Sequence, residues 1–194
     1  MQNVKKLKEP PGRVRYLSQE EINRLLRVSA PHLKPIIITA LTTGMRLSEI
    51  LNLKWEEVNL KRKTIVLRKT KNNEVRLIPI NGFLFKTLTN LPSLGKSKWL
   101  FPGEDGKPMG SVKTAFKTAL KRAGIKNFRF HDLRHTFAAY LVMNGANLRT
   151  VQLLLGHKDI KMTMRYSHLS QALIKEEVEK LGKAFQQITT YTNT

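Results

Sequence analysis

Hydrophobic residues recur at helical spacing along most of the chain, so the pattern predicts a mainly helical protein. The first helix begins at Ser18, which forms a capping box with Glu21 ahead of an apolar stripe. A second predicted helix runs from Leu33 to Thr43 and ends at Gly44, a residue type that tolerates a left-handed helix end. Further helical patterns cover residues 46–53, 82–91, 111–123, 131–144, 147–155 and 159–181.

One segment has the pattern of strands instead. Residues 63–80, KTIVLRKTKNNEVRLIPI, carry β-branched residues on both sides of Asn72 and Asn73. Asparagine tolerates the positive φ of a tight turn, so this segment predicts a β-hairpin. The expected fold class is therefore α+β, mainly α-helical with a small antiparallel β-sheet.

Length and local composition divide the sequence into three parts. A chain of 194 residues fits one domain with short appendages. Residues 1–16 are basic and contain the run Pro10 to Gly12, which is typical of a linker or arm. Residues 17–182 hold the predicted elements and form the expected folded domain, and residues 183–194 form a polar tail.

The charge balance indicates the kind of partner. Lys and Arg number 35 against 14 Asp and Glu, which gives a formal net charge of +21. Such a charge favours binding to polyanions, with nucleic acid as the leading candidate, although a ribosomal protein or a membrane-surface binder would have a similar balance. The absence of cysteine excludes disulfides and thiolate zinc sites. With no apolar run of roughly 18 residues and no signal-peptide pattern, we expect a cytoplasmic protein.

Five histidines raise the question of a metal site. His131 and His135 lie one helical turn apart in HDLRH, a spacing that resembles the H-E-x-x-H zinc motif. That motif needs a glutamate at its second position, where this chain has Asp132, and the charge of Arg134 would repel a cation. The sequence therefore predicts neither a metal nor another cofactor.

A different grouping of residues accounts for the same histidines. His131 and Arg134 share one face of a predicted helix, and His157 follows a predicted helix end. Tyr166 lies on the next amphipathic segment. Far upstream, Arg46 follows the glycine that ends the second helix.

This combination resembles the tyrosine recombinases, also called the phage integrase family. The matching segments are TTGMRLSEI around Arg46, KTKNNEVRLIPI around Lys71, HDLRHTFA over residues 131–138 and LLGHKDIKMTMRY over residues 154–166. Each motif alone is weak, but four in the expected order are highly specific. The resemblance covers almost the whole of the predicted folded domain and implies the catalytic-domain fold of that family.

The resemblance implies DNA strand transfer without metal or ATP. Arg46 and Arg134 would bind the scissile phosphate and stabilise the negative charge that grows in the transition state, because the guanidinium fork matches phosphate oxygens. Tyr166 would be the nucleophile, and the product would be a covalent 3′-phosphotyrosine with a free 5′ hydroxyl. The covalent link conserves the energy of the phosphodiester, so rejoining would need no energy source.

Three further residues complete the catalytic set that the resemblance implies. His131 would accept the proton of Tyr166, and His157 would hydrogen-bond a nonbridging phosphate oxygen. Lys71 would protonate the departing 5′ oxygen. Other basic side chains near the hairpin could contact phosphates in its place: Lys61, Lys63, Arg68 and Lys69.

Three neighbouring residues are interpreted as supports rather than catalysts: Glu49, Asp132 and His135. Glu49 could hold the guanidinium of Arg46, because both lie on one helical face. His135 is expected to bond to the backbone or to line the helix face. The pairs Arg46–Glu49 and Arg134–Asp132 are also open to interpretation as ordinary ion pairs.

The partner that the resemblance implies is double-stranded DNA, with the protein associated with the nucleoid. Family members act as tetramers, and the amphipathic segment Leu169–Leu181 could pack into a neighbouring protomer or fold back onto its own domain. Family members also carry an N-terminal DNA clamp, so residues 1–16 resemble the linker that follows it. Three rival functions remain open: DNA relaxation like that of a type IB topoisomerase, a non-catalytic DNA-binding module and a metal hydrolase.

Overall fold

The structure is a computed structural model that describes residues 15–68, 75–170, 178–183 and 185–186, and helices dominate it. The helices in these residues are α1 (Gln19–Val28), α2 (Leu33–Thr43), α3 (Leu47–Leu51), α4 (Gly82–Thr89), α5 (Lys113–Ala123), α6 (Asp132–Met143), α7 (Leu148–Leu155) and α8 (Lys161–Met164). Short 3-10 helices cover Trp55–Glu57 and Ser167–Ser170, and residues 178–183 and 185–186 are helical. The strands are β1 (Val58–Asn59), β2 (Thr64–Leu67) and β3 (Arg76–Pro79). None of the described helices is long and apolar enough to cross a membrane.

The first helices form where the pattern predicts them. Ser18 accepts a hydrogen bond from the backbone N–H of Glu21, and the carboxylate of Glu21 accepts one from the backbone N–H of Ser18. In α2, Leu33, Ile36 and Ile37 are fully buried because this helix packs against α4 and α6. α3 is shorter than the pattern over residues 46–53 predicts.

The predicted hairpin is part of a three-stranded antiparallel sheet with the order β1-β2-β3. β2 pairs with β3 in a register that places Ile65 opposite Ile78 and Leu67 opposite Arg76. The sequence pattern does not predict β1, because two residues are too few for alternation to show. The predicted turn at residues 72–73 lies outside the described residues.

Gly44 ends α2 and allows this helix to approach its neighbours closely. Its φ is +62°, and a Cβ there would lie 2.4 Å from Cδ1 of Phe137 and 2.9 Å from Cδ2 of Leu155. A side chain at position 44 would therefore push α2 away from α6 and α7. The glycine keeps its own carbonyl beside α6, where the candidate site lies.

Besides the main hydrophobic core, which includes Leu33, Ile36 and Ile37, a separate apolar cluster lies where α6, α7 and the segment after α8 meet. It is formed by Phe137, Ala138, Val142, Val151, Leu155 and Tyr166. Only 1% of Tyr166 is exposed, so this tyrosine is a core residue as well as a candidate nucleophile.

The single long helix predicted over residues 159–181 is wrong in its first half. α8 has four residues, and a 3-10 turn follows it, with the backbone N–H of Tyr166 bonded to the carbonyl of Thr163. The apolar periodicity misleads here because Met162 and Met164 are about half exposed rather than packed. The break between the two turns allows Tyr166 to enter the apolar cluster.

Candidate active site

Arg46 stands in the loop between α2 and α3, where a carboxylate holds its guanidinium. Nη1 of Arg46 donates to Oε1 of Glu49 at 2.9 Å, and the backbone N–H of Arg46 donates to Oε2 at 2.8 Å. The predicted contact with Glu49 is therefore present. The arginine side chain keeps 31% of its surface exposed, which leaves guanidinium donors available to a ligand.

A second arginine, which the sequence patterns did not indicate, binds the same carboxylate. Nη2 of Arg76 donates to Oε2 of Glu49 at 2.7 Å, and Nη1 donates to the carbonyl of Leu155 at 2.8 Å. Arg76 is buried because strand alternation places it on the inner face of β3 together with Ile78. The sequence feature that could have predicted this buried arginine is its position two residues before a core isoleucine in a strand pattern.

Arg134 lies on α6 with its side chain buried against the ends of two other helices. Nη1 donates to the carbonyl of Gly44 at 2.6 Å, and Nη2 donates to the carbonyl of Leu155 at 2.5 Å. Burial, together with the charges of Arg46 and Arg76, lowers the pKa of Arg134 to about 10. The guanidinium therefore stays charged at neutral pH.

The interpretation of Arg134 and Asp132 as an ion pair is wrong. Residues two apart on a helix point to different sides, so these two side chains do not face each other. The carboxylate of Asp132 instead accepts a hydrogen bond from the backbone N–H of Arg129 at 2.7 Å. A negative charge at the start of α6 is favourable, and this hydrogen bond fixes the helix end.

The carboxylate of Glu49 thus accepts hydrogen bonds from Arg46 and Arg76, and its charge also acts on the nearby Arg134. The carbonyls of Gly44 and Leu155, at the C-terminal ends of α2 and α7, supply further partial negative charge to the guanidinium groups. The positive charge still exceeds the negative charge of the ionised side chains. A site with this imbalance favours an anionic ligand such as a phosphate group.

The hydroxyl of Tyr166 meets a histidine that was expected to be structural. Nδ1 of His135 lies 2.5 Å from Oη of Tyr166, so His135 neither bonds to the backbone nor merely lines the helix. Burial raises the pKa of Tyr166 to about 12, against the opposing charges of Arg165 and Arg134. Burial and the neighbouring His131 lower the pKa of His135 to about 4. At neutral pH the phenol is protonated and the imidazole is neutral.

His157 is held at the C-terminal end of α7. Its Nδ1 lies 2.9 Å from Oγ1 of Thr163, which fixes the ring. Burial and the nearby arginine charges lower the pKa of His157 to about 4. The preceding Gly156 has a φ of +63°, and a Cβ there would lie 2.5 Å from Nη1 of Arg76. The close approach of Arg76 to this turn therefore requires glycine.

His131 lies at the exposed start of α6. Its ring stands nearly perpendicular to that of His135, with the two centroids 5.2 Å apart. Burial and the charge of Arg134 lower the pKa of His131. Within the part of the chain that the structure describes, no group of three or more His, Asp or Glu side chains is arranged to hold a metal ion.

Two neighbouring concavities collect these groups. A small cavity of about 70 Å³ is lined by His131, Arg134, His135, His157, Met162, Arg165 and Tyr166. A larger groove of about 790 Å³ borders Arg46 and reaches Arg68 at the end of β2. Lys71, and the alternative Lys69, lie outside the described residues.

Replacing Glu49 with alanine is expected to destabilise the fold by about 3 to 5 kcal/mol, because it leaves the buried Arg76 without its counter-ion. Urea unfolding at pH 7 measures the change in the free energy of unfolding. The matched control is Glu56→Ala, which breaks an exposed ion pair with Lys54 and is expected to cost less than about 1 kcal/mol. Equal effects of the two substitutions would contradict the prediction.

The contribution of Glu49 also depends on pH. Burial raises the pKa of Glu49, but Arg76 and the hydrogen bonds from Arg46 outweigh it, so the pKa is below its ordinary value of 4.5. A carboxylate with a lowered pKa stabilises the fold fully above its unfolded-state pKa and loses this effect as the pH falls through the folded-state pKa. The stability difference between the wild type and Glu49→Ala should therefore shrink below pH 4.5.

Comparisons with known proteins agree with this geometry. The model of the Phage integrase family matches residues 15–172. The integrase of Salmonella phage P22 is 33% identical over 189 residues, an alignment that covers 89% of this chain and 48% of that protein. The tyrosine recombinase XerA of Pyrococcus horikoshii is 30% identical over 188 residues, which cover 92% of this chain and 65% of that protein. The chain spans about half the length of the phage integrases that it matches.

Solved structures show the same fold. The crystal structure of XerA recombinase matches with a TM-score of 0.74 at 27% identity, over 91% of this chain and 66% of that one. The catalytic domain of bacteriophage HP1 integrase matches with a TM-score of 0.66 at 32% identity, over 84% of this chain and 93% of that one. The expected α+β fold class, mainly helical with a small antiparallel sheet, is confirmed.

Proposed function

We propose that this chain, which belongs to the phage integrase family, provides the catalytic domain of a site-specific DNA recombinase, with residues 17–182 as that domain. The observation that carries the proposal is the position of Tyr166, which lines a small cavity together with Arg134 and three histidines. An oxygen nucleophile beside an arginine and several proton carriers suits attack on a phosphodiester. The reaction is cleavage and rejoining of DNA strands through a covalent 3′-phosphotyrosine.

Arg46 and Arg134 hold the scissile phosphate in this proposal. A guanidinium has five N–H donors, and Arg134 directs two of its donors to the carbonyls of Gly44 and Leu155. Its remaining donors can bind a phosphate oxygen from the cavity, while Arg46 binds from the adjoining groove. Both charges are fixed before the reaction, so they stabilise the transition state without reorganisation.

Proton transfers complete the reaction. Tyr166 loses its proton to a histidine, which the family resemblance identifies as His131, and its oxygen attacks the phosphorus. His157, oriented by Thr163, hydrogen-bonds a nonbridging oxygen. Lys71 protonates the 5′ oxygen as it leaves. Rejoining reverses these steps, so the proposed reaction requires neither a metal ion nor ATP.

The proposed partner is double-stranded DNA of the nucleoid, bound through the net charge of +21. Assembly into a tetramer on DNA would use the segment after Tyr166. Within the described residues of that segment, Val178 and Leu181 are exposed by 64% and 54%, which leaves apolar surface for a partner. Leu173 and Ile174, which belong to the same predicted stripe, lie outside the described residues.

The direct test is covalent attachment of the full chain to DNA in EDTA. A pool of nicked duplexes with randomised flanks is incubated with the protein, and complexes that survive denaturation are sequenced. Because of the nick, the fragment that carries the freed 5′ hydroxyl is short and dissociates after cleavage. The cleaved strand then cannot be rejoined, and the adduct accumulates. We expect an adduct at the 3′ end of the cleaved strand, with no requirement for a divalent cation.

The outcomes separate the rival functions. Joining of the attached strand to a second duplex supports recombination, whereas relaxation of a supercoiled plasmid without joining indicates a reaction like that of a type IB topoisomerase. DNA binding without any adduct would indicate a non-catalytic DNA-binding module. Cleavage that EDTA abolishes would indicate a metal hydrolase and contradict the proposal.

A further inference from the structure

Arg76, on β3, shares a hydrogen-bond partner with each of the two arginines that are proposed to bind the phosphate. Its Nη2 donates to Oε2 of Glu49 at 2.7 Å, and Oε1 of the same carboxylate accepts from Nη1 of Arg46 at 2.9 Å. Its Nη1 donates to the carbonyl of Leu155 at 2.8 Å, and that carbonyl also accepts from Nη2 of Arg134 at 2.5 Å. One guanidinium therefore links the two arginines through a single intermediate group on each side.

Arg76 is buried too deeply to meet DNA itself. Only 7% of this residue is exposed, and it is not among the residues that line the small cavity or the groove beside Arg46. Both of its terminal nitrogens already donate to protein oxygens. Arg76 can therefore act on a bound phosphate only through the groups that it holds.

Packing alone does not account for an arginine at this position. Ile78 shares the inner face of β3, and a branched apolar residue at position 76 would continue that face. The Nε of Arg76 is buried and has no hydrogen-bond partner among the described residues, which is unfavourable. Apolar residues of similar volume often stabilise a fold as well as a buried ion pair does, so this arginine indicates a role in the site.

The turn at the end of α7 leaves room for this guanidinium. Gly156 follows Leu155, and a Cβ at position 156 would lie 2.5 Å from Nη1 and 3.2 Å from Cδ of Arg76. A side chain there would separate Arg76 from the carbonyl of Leu155. The same turn carries His157, which is the third group proposed to contact the phosphate.

We propose that Arg76 is a positioning residue that fixes the separation and orientation of Arg46 and Arg134 for the scissile phosphate. The inference rests on the proposed function and concerns a residue that does not touch the substrate. The contact of Arg134 with the carbonyl of Gly44 holds the backbone of the loop after α2, whereas Arg76 holds the carboxylate of Glu49, which orients the side chain of Arg46. Donors stabilise a transition state most when they are placed before the reaction, and a displacement of about 1 Å can lower a rate about 100-fold.

The test compares Arg76→Lys with the wild type in single-turnover attachment to the nicked duplex recovered from the random pool. Lysine keeps the positive charge beside Glu49, but its single nitrogen cannot span the carboxylate and the carbonyl of Leu155 as a guanidinium does. We expect attachment at saturating DNA to slow by about 10- to 100-fold. Gel shifts should give a DNA affinity within about twofold of the wild type, because many other basic residues bind the duplex.

The matched control is Ile78→Ala, which removes a buried apolar side chain from the same face of β3. Urea unfolding shows how far each variant is destabilised and where it is fully folded. Under those conditions Ile78→Ala should attach at the wild-type rate, and Arg76→Lys should stay slow. Sucrose favours the folded state and should not restore the rate of Arg76→Lys. Recovery in sucrose, equal losses in both variants, or an Arg76→Lys chain that does not fold would each show a purely structural role and overturn the proposal.

A double substitution tests whether Arg76 acts through Arg46. Losses from independent substitutions multiply, whereas losses from substitutions that disturb one contact do not. Arg46→Lys and Arg76→Lys both disturb the contact with Glu49, so the double variant should lose at least about threefold less than the product of the two single losses. A loss equal to that product would contradict the proposal.

Sulfate gives a second readout that does not depend on catalysis. Its charged oxygens resemble those of a phosphodiester, and a ligand of the folded state raises the unfolding midpoint. Sulfate should stabilise Arg76→Lys less than Ile78→Ala, because displaced guanidinium groups bind it more weakly. Equal stabilisation of these two variants would overturn the proposal. A wild type that forms no adduct would instead refute the proposed function, while the sulfate comparison would still report on Arg76.

Discussion

Replacing Tyr166 with phenylalanine is expected to abolish covalent attachment to DNA, with a fall in rate of at least about 10⁴-fold. The substitution removes the oxygen that forms the bond to phosphorus and keeps the ring that packs against Val151 and Leu155. The lost hydrogen bond to His135 costs about 1 kcal/mol, which a folded domain of this size tolerates. Loss of the adduct would therefore report on chemistry rather than on folding.

The matched control is Tyr140→Phe, which removes the same atom from a tyrosine on α6 outside the candidate site. It should attach to DNA at the wild-type rate. Gel shifts should give equal DNA affinities for the wild type and both variants. If Tyr166→Phe still formed adducts, digestion and mass spectrometry of the attached peptide would identify a different nucleophile, and the proposed mechanism would be wrong.

Most of the fold could be predicted from periodicity, and the predictions that failed did so for physical reasons. The buried helix α2 and the capped helix α1 were predictable because neighbouring residues carry the signal, which is a run of apolar residues in α2 and a capping box in α1. The break near Tyr166 carries no such signal, because the methionines around it have helical spacing but remain about half exposed. Whether an apolar side chain is buried depends on which residues pack against it, and the local periodicity of the sequence carries no information about those residues.

The residue types of the site could be predicted from motif spacing, but their partners could not. Arg76 reaches Glu49 across 27 positions of the chain, and it reaches Leu155 across 79. His135 meets Tyr166 because the chain turns after α8, a feature that the sequence pattern concealed. Contacts between distant segments follow from the packing of whole elements, so the sequence did not predict that His135 contacts Tyr166.

Replacing Arg134 with lysine is expected to lower the rate of covalent attachment by about 100- to 1000-fold, although the charge is retained. The guanidinium spans the carbonyls of Gly44 and Leu155 with two nitrogens. A lysine has one nitrogen with three donors, so it cannot bridge both carbonyls and also present a fork to phosphate. The single-turnover rate with the nicked duplex measures the loss, and Arg122→Lys, an exposed position on α5, should leave it unchanged.

The same substitution should change the response of the protein to anions in the absence of DNA. A ligand that binds the folded state alone raises the unfolding midpoint, and at a given concentration a tighter ligand raises it more. Sulfate resembles the phosphodiester in its charged oxygens, so it should stabilise the wild type and Arg122→Lys more than Arg134→Lys. Equal stabilisation of all three proteins would show that Arg134 does not bind phosphate. Its contacts with the carbonyls of Gly44 and Leu155 would then be sufficient to explain why it is buried, and its role would be to hold α2 and α7 together.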